Sequence, residues 1–178
     1  MIFVTVGTEH PFDRLVLAID EICARGECGD AFVQIGSGGE EPEHARFARF
    51  LSPQDMQATM RAADLVICHA GPSTIALARA CGRKPIVVPR RPELGEHVDE
   101  HQILFARRLA ASGLVTVVED LDRLDETIQQ VVRRGDASST PDENDHSARA
   151  AERVESLAQD LILRRKWRRV LWDRRTGQ

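Results

Sequence analysis

The sequence predicts an α/β fold: a doubly wound parallel sheet, one half-domain in size, with a basic helical tail at the C-terminus. Three observations carry this. Short runs rich in β-branched residues alternate with stretches whose apolar residues recur at helical spacing. The links between them are short, as β–α units in a parallel sheet require. Glycine and polar residues collect just after the strand-like runs, where an open parallel sheet presents its ligand-facing edge.

Ile2–Val6 is near-continuous in apolar residues, as a strand covered on both faces should be. Pro11 opens a helix that places Phe12, Leu15, Val16, Ile19 and Ile22 on one face. Ala31–Ile35 reads as the second strand and Arg46–Phe50 as a short third. Ser52 and Pro53 start a helix running to about Arg61, with Asp55 at the capping-box position. A strand at Asp64–Cys68, a helix at Ser73–Cys81, a strand at Pro85–Val88, a helix at Val98–Ala111 and a strand at Val115–Val118 follow. Leu121–Arg133 is helical, with Asp122 as its N-cap or first-turn anion rather than part of a metal-binding D-x-D. One domain therefore spans residues 1–134. Residues 135–147 are small, polar and acidic and read as a linker. Residues 148–178 read as an amphipathic basic helix whose segment Arg164–Arg175 holds seven cations and one anion.

With 178 residues the chain can bury a core of its own. A net charge of −4 argues against a nucleic-acid binder. No apolar run approaches the roughly 20 residues of a membrane span. The N-terminus shows neither the basic segment nor the cleavage site of a signal peptide, so a cytoplasmic chain with at most peripheral membrane contact is expected. Cys23, Cys28, Cys68 and Cys81 are scattered, which predicts reduced, mostly buried thiols.

Four segments should meet at the carboxyl edge of the sheet: Gly7-Thr8-Glu9-His10, Gly36-Ser37-Gly38-Gly39, His69-Ala70-Gly71-Pro72-Ser73-Thr74, and Pro89-Arg90-Arg91-Pro92 with the loop to His101-Gln102. The third says most. Gly71 allows close backbone approach, and Ser73 and Thr74 head a helix whose free N–H groups and dipole favour an anion such as a diphosphate. A plain helix cap after a strand would look the same. The Gly36–Gly39 loop lacks the spacing of a dinucleotide fingerprint and reads as a flexible or phosphate-side loop. His10 is the candidate general base, or simply a polar turn residue. His97 and His101 are four apart without an evident third ligand, so no metal site is predicted. Arg90 and Arg91 are solvated loop arginines or partners for a carboxylate on the substrate.

These stretches resemble the C-terminal domain of glycosyltransferase family 28. MIFVTVGT (1–8) with PFDRL (11–15), ADLVICHAGPSTI (63–75), GRKPIVVPR (82–90) and GEHVDEHQ (95–102) followed by FA carry the resemblance over about residues 1–118. It is strongest to the small stand-alone subunits of bacterial exopolysaccharide synthesis. The catalytic subunit of the eukaryotic two-part UDP-GlcNAc transferase of dolichol-linked glycan synthesis is a more distant relative. The resemblance implies a single GT-B, Rossmann-like half-domain that binds a UDP-sugar, with the diphosphate at Gly71, Ser73 and Thr74 beside His69. His101 and Gln102 would read sugar hydroxyls. Gly36 and Ser37 would flank the donor cleft, and Gly7 and Thr8 would line the acceptor side. No cofactor and no essential metal are expected. One position departs from the family: an acid that holds the ribose hydroxyls is replaced by Leu77.

The implied reaction is inverting transfer of a hexose or hexuronic acid from a UDP-sugar to a lipid-linked saccharide in exopolysaccharide synthesis. A membrane-attached acceptor-binding subunit would supply the other half of the site. The basic tail, through Arg164, Trp167, Arg168 and Leu171, would hold the chain peripherally at the anionic inner face of the membrane or against that partner. The alternative, prompted by Leu77, is a non-catalytic scaffold that activates another transferase.

Overall fold

The computed structural model describes residues 1–27, 29–97, 100–135 and 148–160. Six strands, β1 (Ile2–Thr5), β2 (Ala31–Gln34), β3 (Arg46–Ala48), β4 (Leu65–His69), β5 (Ile86–Val88) and β6 (Thr116–Val117), form one sheet. Every adjacent pair is parallel, and the order is 3-2-1-4-5-6. The helices are α1 (Asp13–Ala24), α2 (Pro53–Ala62), α3 (Pro72–Ala80), α4 (His101–Ala111) and α5 (Leu124–Arg134), with a further helix, α6, over residues 148–160. The doubly wound parallel sheet is thus the one predicted. β1 and β4 lie side by side at its centre, and there the winding reverses. Ligands of such sheets bind in the crevice outside the strand ends at this reversal.

Both faces of the sheet are covered, which is why the central strands are apolar throughout. Val4, Val33, Ile67 and Ile86 pack under Leu15, Val16 and Ile19 of α1 and Leu124 and Ile128 of α5. On the opposite face Phe3 and Val66 meet Met60 and Ala78, while Cys68 and Val87 meet Ile75, Phe105 and Leu109. Alternate residues of one strand thus serve two cores. Burial pushes the Cys68 thiol up to about 12, so it is an inert packing group.

Several boundaries moved. β3 stops at Ala48, and α3 begins one residue early, at Pro72, because Gly71 supplies the extended N-cap. Ser52 caps α2 as expected: its Oγ accepts from Asp55 N (3.1 Å) and donates to the Asp55 carboxylate (2.7 Å). Asp120, not Asp122, does the capping before α5. Its carboxylate accepts from Asp122 N at 3.2 Å and starts a 3-10 turn, Leu121–Arg123. Cys68 and Cys81 are free, but Cys23 is disulfide-bonded, against the expectation of four reduced thiols.

The packed unit also runs past residue 134. Ala150, Val154 and Ala158, spaced one turn apart on α6, are buried with Phe105 and Leu109 of α4. The first half of the segment assigned to a separate tail is therefore part of the domain. Arg164, Trp167, Arg168 and Leu171 lie outside the described residues. No helix among the described residues is long and apolar enough to cross a membrane.

Candidate functional site

The crevice at the winding reversal is a cavity of about 360 Å³. Its walls are the loop after β1 (Val6–His10), the end of β4 at His69, Thr74 on α3, Arg90 after β5, and His97 and Gln102 before and on α4. Gln34 and Met56 close its back. Segments far apart in sequence thus converge because every parallel strand delivers its carboxyl end to the same edge.

The α3 end is built from small residues. Gly71 is the N-cap with no side-chain cap, Pro72 has no N–H to offer, and the first bond into the helix is Ile75 N to Gly71 O at 3.0 Å. The N–H groups of Ser73 and Thr74 precede that bond, so they point out of the helix end. Ser73 is exposed, and Thr74 reaches the cavity wall.

His69 stands between two glycines. A Cβ on Gly71 would overlap His69 Nε2, and one on Gly7 would come within 3.0 Å of His69 Cε1. Gly7 also has φ +87°, which favours glycine independently. The ring is buried, and its Nδ1 makes no hydrogen bond among the described residues. Burial, then the neighbouring Arg90 cation and His97, hold the His69 pKa down at about 4, while the Thr5 backbone pulls weakly the other way. The imidazole is therefore neutral at pH 7, and a ring that lines the crevice carries a buried nitrogen without a hydrogen-bond partner among the described residues.

Arg90 is the largest surprise. It is 3 % exposed, so it is neither a solvated loop arginine nor a fork free to take a substrate carboxylate. Its guanidinium donates to the carbonyls of Val6 (2.8 Å), His10 (2.7 Å) and Pro11 (2.5 Å) and stacks on the Phe12 ring at 4.7 Å. The Arg14 guanidinium also lies over that ring, at 5.2 Å. Arg14 makes two bonds to Glu96 (2.6 and 2.9 Å) and one to Pro89 O (3.1 Å). The loops after β1 and β5 are thereby fastened together across the crevice.

The predicted residues fall into two groups. Gly7, Thr8, His10, His69, Thr74 and Gln102 line the cavity. Gln102 Oε1 accepts from Arg90 N at 3.2 Å, which leaves its amide nitrogen for a ligand. Gly71 and Ser73, just ahead of Thr74 at the α3 end, and Gly36, Ser37 and His101 are not in the wall. Gly36 lies so close behind the β1 loop that a Cβ would meet Gly7 O at 2.5 Å, and Ser37 Oγ bonds to Thr8 O (2.8 Å) and Glu9 O (3.1 Å). They brace the loop from outside. His101 heads α4 and is exposed. Gln34 was missed: it is fully buried, accepts from Thr5 Oγ1 at 2.6 Å and donates to Gly7 O and Arg49 O at 2.9 Å each. A polar residue at the end of a two-sided apolar strand was the available signal. Leu77 packs against the Phe3–Met60 cluster on the α2 side.

The fold recurs in solved glycosyltransferases. The glycotransferase of kitacinnamycin superposes with a TM-score of 0.59 at 18 % identity, over 92 % of this chain and 42 % of that one. MurG of Acinetobacter baumannii gives 0.53 at 19 %, over 91 % and 49 %. Sequence relatives include the UDP-N-acetylglucosamine--N-acetylmuramyl-(pentapeptide) pyrophosphoryl-undecaprenol N-acetylglucosamine transferases of Anaeromyxobacter sp. (strain Fw109-5) and Solibacter usitatus. The first is 31 % identical over 72 % of this chain and 33 % of its own length, the second 31 % over 74 % and 36 %. The chain thus spans about a third of the length of these relatives. The glycosyltransferase family 28 C-terminal domain matches residues 1–161, which takes in the whole crevice and α6. With a half-domain sheet, a crevice at its winding reversal and a family match over nearly all of the described residues, the chain belongs to the glycosyltransferase family 28 C-terminal domain family.

Proposed function

We propose that this chain is the donor-binding half of a two-part glycosyltransferase that moves a sugar from a UDP-sugar to a lipid-linked saccharide. The observation that carries the reading is the crevice itself: a buried neutral imidazole with an unpaired nitrogen beside the uncapped N-terminus of α3. The relatives' names specify a UDP-sugar donor and a pyrophosphoryl-lipid acceptor, in agreement with it. The donor diphosphate lies across Gly71, Ser73 and Thr74, with the His69 ring N–H donating to it. The helix N-terminus and the Arg90 cation stabilise the charge that grows on the departing UDP. Gln102 orients the sugar through its amide nitrogen. His10, exposed at the mouth, is the general base for the acceptor hydroxyl, and displacement with inversion follows from attack opposite the leaving diphosphate. The leaving charge is met by protein groups, so the proposal assigns no metal.

The acceptor wall comes from a second subunit, attached to the membrane, and the setting is exopolysaccharide synthesis. A single half-domain sheet among the described residues, with relatives a little over twice as long as this chain, supports a second half. Leu77, packed into the α2 side where a ribose-binding acid is expected, favours a second reading: a non-catalytic scaffold that activates another transferase. Calorimetric titration separates the two readings from the outset. The chain should bind UDP, and Ser73→Ala with Thr74→Ala should weaken it roughly tenfold or more. Equal affinity in the double variant would remove the diphosphate assignment. Release of sugar from a panel of UDP-sugars in the presence of the acceptor subunit separates transferase from scaffold.

A further inference from the structure

The end of the sheet opposite the crevice, where α2 and α3 finish and β4 and β5 begin, carries Arg61, Arg79, Arg83 and Lys84. Arg83 Nη2 donates to Arg61 O at 2.5 Å, and Arg79 Nη1 donates to Arg83 O at 3.4 Å. Arg79 sits on the face of α3 that holds Ile75 and Ala76, and it is only 9 % exposed. Yet neither Arg79 nor Arg83 forms an ion pair with a carboxylate among the described residues. The long contact to Arg83 O is the one hydrogen bond the Arg79 side chain makes there. The Nε atoms of both arginines are buried without a partner. Asp64 is held below the usual carboxylate range first by the Met1 ammonium, to which it is bridged, and only last by Arg83. Burial pulls the Arg79 pKa down, and no neighbouring acid pulls it back. The partial negative charge at the α3 C-terminus offsets part of the cost of burying this cation, but it leaves both Nε–H groups unsatisfied. A guanidinium taken out of water without a counter-ion is costly, and buried charges are as a rule paired.

We propose that Arg79 and Arg83, with Lys84 beside them, form a second binding site, for a phosphoryl dianion, at the amino end of the sheet. Two guanidinium forks suit tetrahedral oxygens that carry close to two negative charges at neutral pH. The anion supplies the counter-charge that Arg79 lacks and takes the hydrogen bonds that the chain leaves unmade. Both forks are already anchored on main-chain carbonyls, Arg79 on Arg83 O and Arg83 on Arg61 O, so little ordering is left for binding. The phosphoryl group can come from a lipid headgroup or from free phosphate. The site lies away from the donor crevice, at the far ends of the same strands, and stands or falls independently of the donor reading.

The test titrates the full chain with inorganic phosphate at constant ionic strength, read by the arginine Nε–H resonances in ¹H–¹⁵N spectra and by Tm. Wild type is compared with Arg79→Met, Arg83→Gln and the double variant Ser73→Ala with Thr74→Ala. In chloride buffer Arg79→Met should be at least as stable as wild type, because methionine fills the space without a buried charge. Phosphate should shift the Nε–H signals of Arg79 and Arg83 saturably, and it should raise Tm equally in wild type and in the α3 double variant. Arg79→Met and Arg83→Gln should bind it roughly tenfold more weakly. Phosphate that shifts only the Ser73 and Thr74 amides overturns the site and leaves the crevice assignment intact. The same shifts with chloride, or an equal Tm gain in Arg79→Met, also overturn it, as an adventitious ion only. Should Arg79→Met fail to fold, Arg83→Gln and the wild-type spectra decide by the same criteria. Co-sedimentation with phosphatidylglycerol vesicles separates the two sources. Wild type bound and Arg79→Met released assigns a lipid headgroup; equal co-sedimentation with the phosphate response intact assigns free phosphate.

Discussion

His69 should make the domain acid-sensitive in a defined window. Its ordinary pKa of 6.5 falls to about 4 in the fold, first through burial and then through Arg90 and His97. A histidine with a depressed folded pKa binds fewer protons in the native state than in the unfolded one. Its contribution to stability is complete above pH 6.5 and is lost as the pH falls towards 4. The gap between the two values, at about 1.4 kcal/mol per pH unit, comes to about 3 kcal/mol. That is a large part of the roughly 5–15 kcal/mol that holds a domain of this size together. Urea unfolding between pH 7.5 and 4 should show wild type losing most of that amount. His69→Asn should start less stable but lose about 3 kcal/mol less over the same range, because no buried imidazole then opposes protonation. Parallel stability curves for the two proteins would refute the claim that a neutral buried imidazole occupies the crevice.

Three further predictions follow from contacts around the crevice and the sheet. Gly71→Ala keeps an allowed backbone, at φ −76°, but its Cβ would overlap His69 Nε2. We expect a loss of about 1–3 kcal/mol in urea unfolding together with weakened UDP binding, and unchanged values for both would count against the packed imidazole. Asp20 of α1 accepts main-chain N–H bonds from Glu43 (3.0 Å), His44 (2.7 Å) and Ala45 (2.9 Å), so it staples the segment before β3. Asp20→Ala should therefore cost about 2–4 kcal/mol and speed hydrogen exchange at those three amides. Deleting residues 164–178 should release the chain from anionic vesicles or from its partner subunit without altering UDP affinity; unchanged vesicle co-sedimentation and partner capture would dismiss the tail as an anchor.

The sheet was legible because its chemistry is local. Ile2–Val6 and Asp64–Cys68 are apolar on both faces, and only a strand sandwiched between helices asks for that. The α3 turn was legible for a related reason: a strand followed by Gly71-Pro72-Ser73-Thr74 leaves few ways to start a helix. Arg90 was misplaced because its partners are main-chain carbonyls, which every residue carries and no sequence pattern marks. α6 was read as part of a tail because Ala150 and Ala158 give a faint apolar stripe; their burial depends on the space left beside Phe105 and Leu109. Asp120 caps the 3-10 turn ahead of α5, with Asp122 as the acid in that turn; the sequence pattern did not mark a separate turn before the helix.

The central claim is that the diphosphate of a UDP-sugar rests on the α3 N-terminus inside the crevice at the winding reversal. A crystal structure of the chain with UDP tests it most directly. The account predicts phosphate oxygens within about 3 Å of the Ser73 and Thr74 main-chain nitrogens and of a His69 ring nitrogen. UDP seated elsewhere, for example in the second concavity between Arg107, Glu119 and Arg123 beside β6, with the crevice empty, would contradict it.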